Sequence, residues 1–291
     1  MKTFGKSVRL YLNEGIVTEI KFFELVNWTI QGLVCPRSRI GELKNWPESQ
    51  RPGVYVLLGD DETGEFKFSA YIGESEDVFD RLKTHLNQSD FDFKEVVLFT
   101  CKDANLTKAH VRNLEGKLYK RAVIANRYKI KNGQEPSESP LPRPDEEAMK
   151  EFAENVYLLL GTLGHLLFEP VITSAKSPDK EKVKFGSLHF DLPNLDIHAT
   201  GLLTDEGFLV CKDSTAVAKA ADSLQGGYKE IRDELIKSSI LVPSGEKLVF
   251  EKDYMFNSPS AAATVVAGSP RSGNVTWKDA SGKILKEIEA S

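Results

Sequence analysis

Gly53-Val54-Tyr55-Val56-Leu57-Leu58 is followed by Gly59-Asp60-Asp61-Glu62-Thr63-Gly64 and then by Phe66-Lys67-Phe68-Ser69-Ala70-Tyr71-Ile72-Gly73. An apolar strand, a polar turn cluster and an alternating return strand make this stretch a β-hairpin. Downstream, Ser75 is a good N-cap for a helix running to about Asn87. Val78, Leu82 and Leu86 form its apolar stripe, while Asp77, Arg81 and His85 share a second face at the same spacing. Val96–Thr100 reads as a third strand. A second helix, about Thr107 to Ala125, buries Val111, Leu114, Leu118 and Ala122.

Further out the pattern changes twice. The first 50 residues read as a β-rich extension, with extended candidates at Ser7–Leu12, Glu19–Phe23 and Gly32–Cys35. Four prolines between Pro136 and Pro144 mark a linker. An amphipathic helix, Glu146–Phe168, and a charged loop, Ser174–Lys184, follow it. From residue 186 a second αβ unit carries strands at Ile197–Leu202, Phe208–Lys212 and Lys247–Phe250. Its helices are expected near Gly227–Ser238 and Ser258–Ala267, with Ser258 as N-cap and Pro259 at the first position. No fixed-period repeat is present. The expected fold class is α/β in the α+β sense, divided at 1–50, 51–135, 136–185 and 186–291.

Composition narrows the function classes. The chain has 291 residues, 41% hydrophobic and 28% charged, with a net charge of -5, which excludes overall disorder. Val156–Phe168 is too short and too interrupted to span a membrane, and no secretory signal follows Met1. Three widely spaced cysteines, Cys35, Cys101 and Cys211, suit a reducing cytoplasm and exclude a disulfide framework.

A pI near 5.7 does not advertise a nucleic-acid binder, yet charge is unevenly placed. From Cys101 to Asn132 nine basic residues oppose only Asp103 and Glu115, a local net charge of +7. From Gln134 to Glu154, Arg143 and Lys150 oppose seven acids, a net of -5. The basic block reads either as a solvated helix face or as a phosphate-binding surface. Lys108, Arg112, Lys117, Lys120 and Arg121 are its candidate nucleic-acid contacts.

Glu115 lies beside Val111, Leu118 and Tyr119 on the buried side of its helix. A carboxylate there must be paired, protonated or bound to a cation. By itself it reads as a boundary ion pair with Arg112 or Lys108. In order along the chain stand Gly53-Val54-Tyr55, Tyr71-Ile72-Gly73, Arg81 with His85, and Glu115. That succession, on strand, strand, helix and helix, resembles the GIY-YIG nuclease family over about residues 51–133.

The resemblance implies a small, mainly antiparallel sheet flanked by helices and a metal-dependent endonuclease. Tyr55 would assist deprotonation of the attacking water, and Tyr71 would hydrogen-bond at the scissile phosphate. Arg81 would stabilise the charge of the pentavalent phosphorane, and Glu115 would be the single ligand of Mg²⁺ or Mn²⁺. His85 matches a helper position and Asn132 the asparagine that closes the family core. These types suit the chemistry: hydrolysis of a phosphodiester needs a nucleophilic water, a Lewis acid and fixed positive charge. Arginine matches phosphate bidentately, and magnesium often needs only one or two carboxylates. The fifteen residues between Tyr55 and Tyr71 exceed the family's usual hairpin, and Val54 replaces isoleucine.

Gly201–Phe208, Arg232–Leu235, Asp253–Ala262 and Trp277–Asp279 resemble a C-terminal domain of uncharacterised function often appended to such nucleases. It reads as a substrate-positioning module or as a surface for a partner, a second copy included. DNA is the expected substrate, with RNA and a catalytically silent binding module as the alternatives, and restriction or phage defence the expected setting. His189 and His198 lack neighbours at metal-ligand spacing in the sequence.

Overall fold

The computed structural model describes residues 4–61, 66–88, 91–170 and 185–290. The chain divides into two compact units, Met1–Val171 and Ile172–Ser291. Both mix helices with largely antiparallel sheets, so the α+β class holds. The expected loop at Ser174–Lys184 lies outside the described residues.

In the first unit, β1 (Val8–Leu12), β2 (Lys21–Leu25) and β3 (Ile30–Pro36) precede β4 (Gly53–Asp60) and β5 (Phe68–Ser75). Then come α1 (Val78–Gln88), β6 (Glu95–Cys101), α2 (Lys108–Ala125), β7 (Lys129–Ile130) and α3 (Arg143–Thr162). The strands form one seven-stranded sheet ordered β1-β2-β3-β6-β4-β5-β7. Every pairing is antiparallel except β5 with β7. The sheet therefore runs through the boundary drawn at residue 50, because β3 pairs with β6 from Ile30↔Cys101 to Pro36↔Glu95.

Strand alternation sorts the core onto two faces. Val54, Val56, Val97 and Phe99 pack with Val111, Leu114, Leu118 and Val156 of α2 and α3. Tyr55, Leu57, Val96 and Leu98 pack on the other face with Val78 and Leu82 of α1 and with Ile40 and Leu43 of a 3₁₀ segment, Arg37–Asn45. Burial on both faces explains why β4 and β6 read as unbroken apolar runs.

Two helix boundaries differ from expectation. Asp77, not Ser75, caps α1: its carboxylate accepts the Asp80 amide at 2.9 Å, while Ser75 Oγ closes the preceding turn by donating to Asp77 O at 2.6 Å. α3 starts at Arg143, three residues early, since Pro144 is tolerated in a first turn where amides are unpaired anyway. It ends at Thr162 rather than Phe168, and Gly164 follows at φ +97°.

The second unit contains β8 (Leu188–Leu192), β9 (Ile197–Thr204), β10 (Gly207–Val210), β11 (Thr215–Val217) and α4 (Gly227–Lys237). β12 (Leu241–Ser244), β13 (Lys247–Phe250), β14 (Tyr254–Phe256), α5 (Pro259–Ala267), α6 (Gly273–Thr276) and α7 (Leu285–Glu289) complete it. Sheets ordered β14-β10-β9-β8 and β11-β13-β12 share a core with α5 and the buried Trp277. Ser258 caps α5 as expected, accepting the Ala261 amide at 3.2 Å.

Candidate active site

The glycines of the two motifs are there for space. In the β4–β5 register Tyr55 lies opposite Gly73. A Cβ at Gly73 would run into the Tyr55 ring, and one at Gly53 into the Phe99 carbonyl. The two strands can therefore bring Tyr55 and Tyr71 onto one face, their rings nearly parallel with centroids 6.4 Å apart. His85 sits edge-on to both, 5.6 Å from Tyr55 and 4.9 Å from Tyr71. Tyr55 Oη and His85 Nε2 are 2.8 Å apart.

Protonation follows from burial. Desolvation raises the Tyr55 pKa, with the neighbouring Tyr71 adding to it, so Tyr55 stays a phenol. Burial pushes His85 down to about 4, and the positive charge of Arg81 adds to the effect. A neutral His85 in the Nδ1–H tautomer accepts the hydrogen bond of the Tyr55 hydroxyl at Nε2. Arg81, one turn before His85 on α1, lies close enough for its charge to act on both tyrosines. Tyr55, Tyr71, Arg81 and His85, which come from three elements, form one cluster.

Glu115 approaches it from α2, near enough for its charge to be felt at Tyr55 and for Arg81 to act on it. The carboxyl is raised to about 7 by desolvation first and then by the charge of Glu74; Lys108, Arg112 and Arg81 pull the other way. Among the described residues no hydrogen bond to it counters its burial. The cations expected to neutralise it are held elsewhere. Lys108 Nζ lies 2.8 Å from Glu74 Oε2, and Arg112 Nε lies 3.7 Å from Glu74 Oε1. The Glu74 side chain is only 11% exposed.

Glu74 was not among the sequence candidates, although its position signalled it. It follows Gly73 directly and falls two residues beyond Ile72, on the strand face that meets α2.

Asn132 sits where it was expected but touches no reacting group. Its side chain imitates a neighbouring strand: Oδ1 accepts the Ile72 amide at 3.0 Å and Nδ2 donates to the Ile72 carbonyl at 2.7 Å. It holds the Tyr71-Ile72-Gly73 backbone and is a positioning residue.

The basic block splits in two. Lys108, Arg112 and Glu115, at i, i+4 and i+7, share one face of α2. Lys117, Lys120 and Arg121 face the linker and α3 instead. Lys117 Nζ bonds Glu138 at 3.3 Å and Glu146 at 2.6 Å, and Lys120 bonds Glu138 at 2.8 Å. Arg121 Nε donates to the Phe168 carbonyl at 2.8 Å, its guanidinium over the Tyr157 ring. The acidic run after Gln134 thus neutralises much of the basic block before it.

The described residues contain no group of three or more His, Cys, Asp or Glu side chains arranged to hold a metal, and no helix long and apolar enough to cross a membrane. His198, without sequence neighbours at ligand spacing, meets Asp191 at 2.7 Å and Asp196 at 3.4 Å on an exposed surface.

Residues 188–289 match a family described as "Domain of unknown function (DUF4357)". That agrees with the C-terminal resemblance. The match does not reach residues 51–133, where the nuclease resemblance stands on its motifs. No curated protein and no solved structure matches the chain.

Proposed function

We propose that residues 51–133 form the active site of a divalent-metal-dependent endonuclease that hydrolyses phosphodiester bonds in DNA. One observation carries the reading: a tyrosine–histidine–arginine cluster lies near a half-buried carboxylate whose helix neighbours Lys108 and Arg112 are tied to another acid. Such a carboxylate suits a hard cation that keeps most of its waters, so the donor set fits Mg²⁺ or Mn²⁺ at Glu115. The bound ion would supply a Lewis acid to the phosphoryl and leaving oxygens.

This chain's own residues do the rest. Arg81 binds the scissile phosphate through its planar donors. Phosphate there offsets the cationic charge that helps to hold His85 down, so the imidazole becomes a better base as substrate arrives. Tyr55 then relays: its oxygen takes a proton from the attacking water while its own proton passes to His85 Nε2. Tyr71 donates to a non-bridging oxygen. Asn132 and Gly73 keep both rings in register. Lys108 and Arg112 are the phosphate contacts on this face of α2, exchanging Glu74 for the nucleic-acid backbone. A role in restriction or phage defence belongs to this proposal by family analogy alone.

The test is cleavage of matched single- and double-stranded DNA and RNA with Mg²⁺, Mn²⁺ or EDTA, with Glu115→Ala alongside. Metal-dependent cutting of DNA that the variant loses supports the reading. Cutting that survives in the variant overturns the metal assignment. Binding without cutting by either protein selects the silent module instead.

A further inference from the structure

In the second unit a small cavity of about 180 Å³ opens between the start of β8 and the α5–α6 region, lined by His189, Asp191, Arg271, Val275, Thr276 and Lys278. Its walls are backbone-locked. His189 and Lys278 exchange both backbone hydrogen bonds, at 2.7 and 3.0 Å. The buried Thr264 hydroxyl clamps Arg271, accepting its amide at 3.1 Å and donating to its carbonyl at 3.3 Å. Trp277, buried between Thr276 and Lys278, donates to the Pro259 carbonyl at 2.9 Å.

Among the described residues, the side chains of Arg271, Lys278 and His189 meet no carboxylate, as is also true of exposed lysines such as Lys229 and Lys252; what differs is that these three line one cavity. The one acid in the cavity, Asp191, is bonded through Oδ1 to His198 at 2.7 Å. Thr276 Oγ1 donates to Ser272 O at 2.7 Å, so its proton is already engaged. A guanidinium, an ammonium and an imidazole thus line one cavity with a single acid among them, beside an apolar rim at Val275, which is 49% exposed.

Size decides what fits. The volume holds roughly six waters at ~30 Å³ each and falls below the ~300 Å³ at which small-molecule sites begin. A whole nucleotide does not fit, but a phosphate group does, with the attached sugar lying on the Val275 rim. Guanidinium, ammonium and imidazole are the donors that recognise phosphate.

We propose that the cavity formed by His189, Arg271 and Lys278 is a phosphate-binding site that grips one backbone phosphate of a nucleic acid. The phosphate chemistry rests on these residues alone; the nucleic acid as its source rests on the proposed function. The match to a domain of unknown function assigns no ligand to this region.

The experiment measures binding of the full chain, without divalent metal, to a fluorescein-labelled DNA duplex across a salt series. The double variant Arg271→Ala/Lys278→Ala is compared with Lys229→Ala/Lys252→Ala, which removes the same charge from exposed positions elsewhere in the unit. Loss of one phosphate contact lowers the salt slope by ~0.9 and weakens binding about eightfold at ~0.1 M salt. The control pair is expected to change the slope by less than half as much. Equal slopes in both variants and wild type overturn the proposal. A second arm titrates inorganic phosphate and follows the His189 imidazole by NMR. If wild type binds no DNA yet His189 shifts with phosphate, and the shift is lost in Arg271→Ala/Lys278→Ala, the phosphate site stands and the nucleic-acid source falls. Absence of both responses overturns the site as well.

Discussion

The two faces of α2 carry similar residues and do opposite things. On one, Lys117 and Lys120 meet Glu138 of the linker and Glu146 of α3. On the other, Lys108 and Arg112 are drawn to Glu74, and Glu115, nearly one turn beyond Arg112, has no hydrogen bond or ion pair among the described residues. Adding a second acid to a pair of cations has not stabilised the site; it has frustrated it. A carboxylate held near neutrality at a cost is a usual mark of a functional position, whereas a saturated network marks a structural one.

The sharpest way to break the contrast is Glu115→Gln. Under the proposed function, metal-dependent cleavage falls at least about 10³-fold, equivalent to about 4 kcal/mol of transition-state stabilisation. Stability should move the other way. Because the folded pKa of Glu115 is raised from 4.5 to about 7, the folded state holds a proton that the unfolded chain releases. Wild-type stability is therefore lost as pH rises from about 4.5 through 7. Metal-free Glu115→Gln should be more stable than wild type by about 1–2 kcal/mol at pH 8, after discounting for partial exposure, and equal to it near pH 4.5. Urea denaturation at both pH values decides; a destabilised variant at pH 8 would remove the claim of frustration.

Lys117→Met tests the saturated face. It strips a 15%-exposed ammonium from two carboxylates, and about 1–3 kcal/mol of stability should go with it. Glu138 and Glu146 have lowered pKa values, the hydrogen bonds of Lys120 and Lys117 respectively being the largest causes. The stability they contribute is present above the ordinary carboxylate range and lost as pH falls through their folded values. The deficit of the variant should therefore shrink on acidification, which thermal melts at pH 7 and pH 4 will show.

These predictions also mark where the sequence could and could not be read. β4, β5 and β6 were legible because apolar runs bounded by turn residues have few other solutions, and α2 because its stripe has helical spacing. Tyr55, Tyr71, Arg81 and His85 come from three elements, and only their order along the chain revealed that they meet. The +7 block misled because charge summed along a segment is blind to direction around a helix. It is equally blind to Pro136–Pro144, which brings Glu138 and Glu146 onto one face. β7, with two residues, and β11 and β14, with three each, are too short to show any periodicity. That β3 would pair with β6 across some sixty residues is a non-local choice that no local pattern encodes.

DNA binding separates the faces without chemistry. Lys108→Ala/Arg112→Ala should lower the salt slope by ~1.8, since both cations can exchange Glu74 for phosphate. Lys117→Ala/Arg121→Ala should leave the slope within error, because those charges are already spent inside the chain. Filter binding between ~50 and ~200 mM salt covers the range. Reversed results would mean that the linker detaches from α2 on binding.

The smallest effect tests the saturated face against itself. Lys120 shares Glu138 with Lys117 but is 53% exposed. An exposed pair spends in side-chain entropy and screening most of what it gains in attraction, so Lys120→Ala should cost far less stability than Lys117→Met. Lys117 remains to hold the same carboxylate from its buried side. A loss at Lys120 matching that at Lys117 would show that Glu138 needs both ammonium groups and that the network acts as a unit. A negligible loss places its stability in the buried contact, which is also why the linker can lie against α2 without help from its exposed charges.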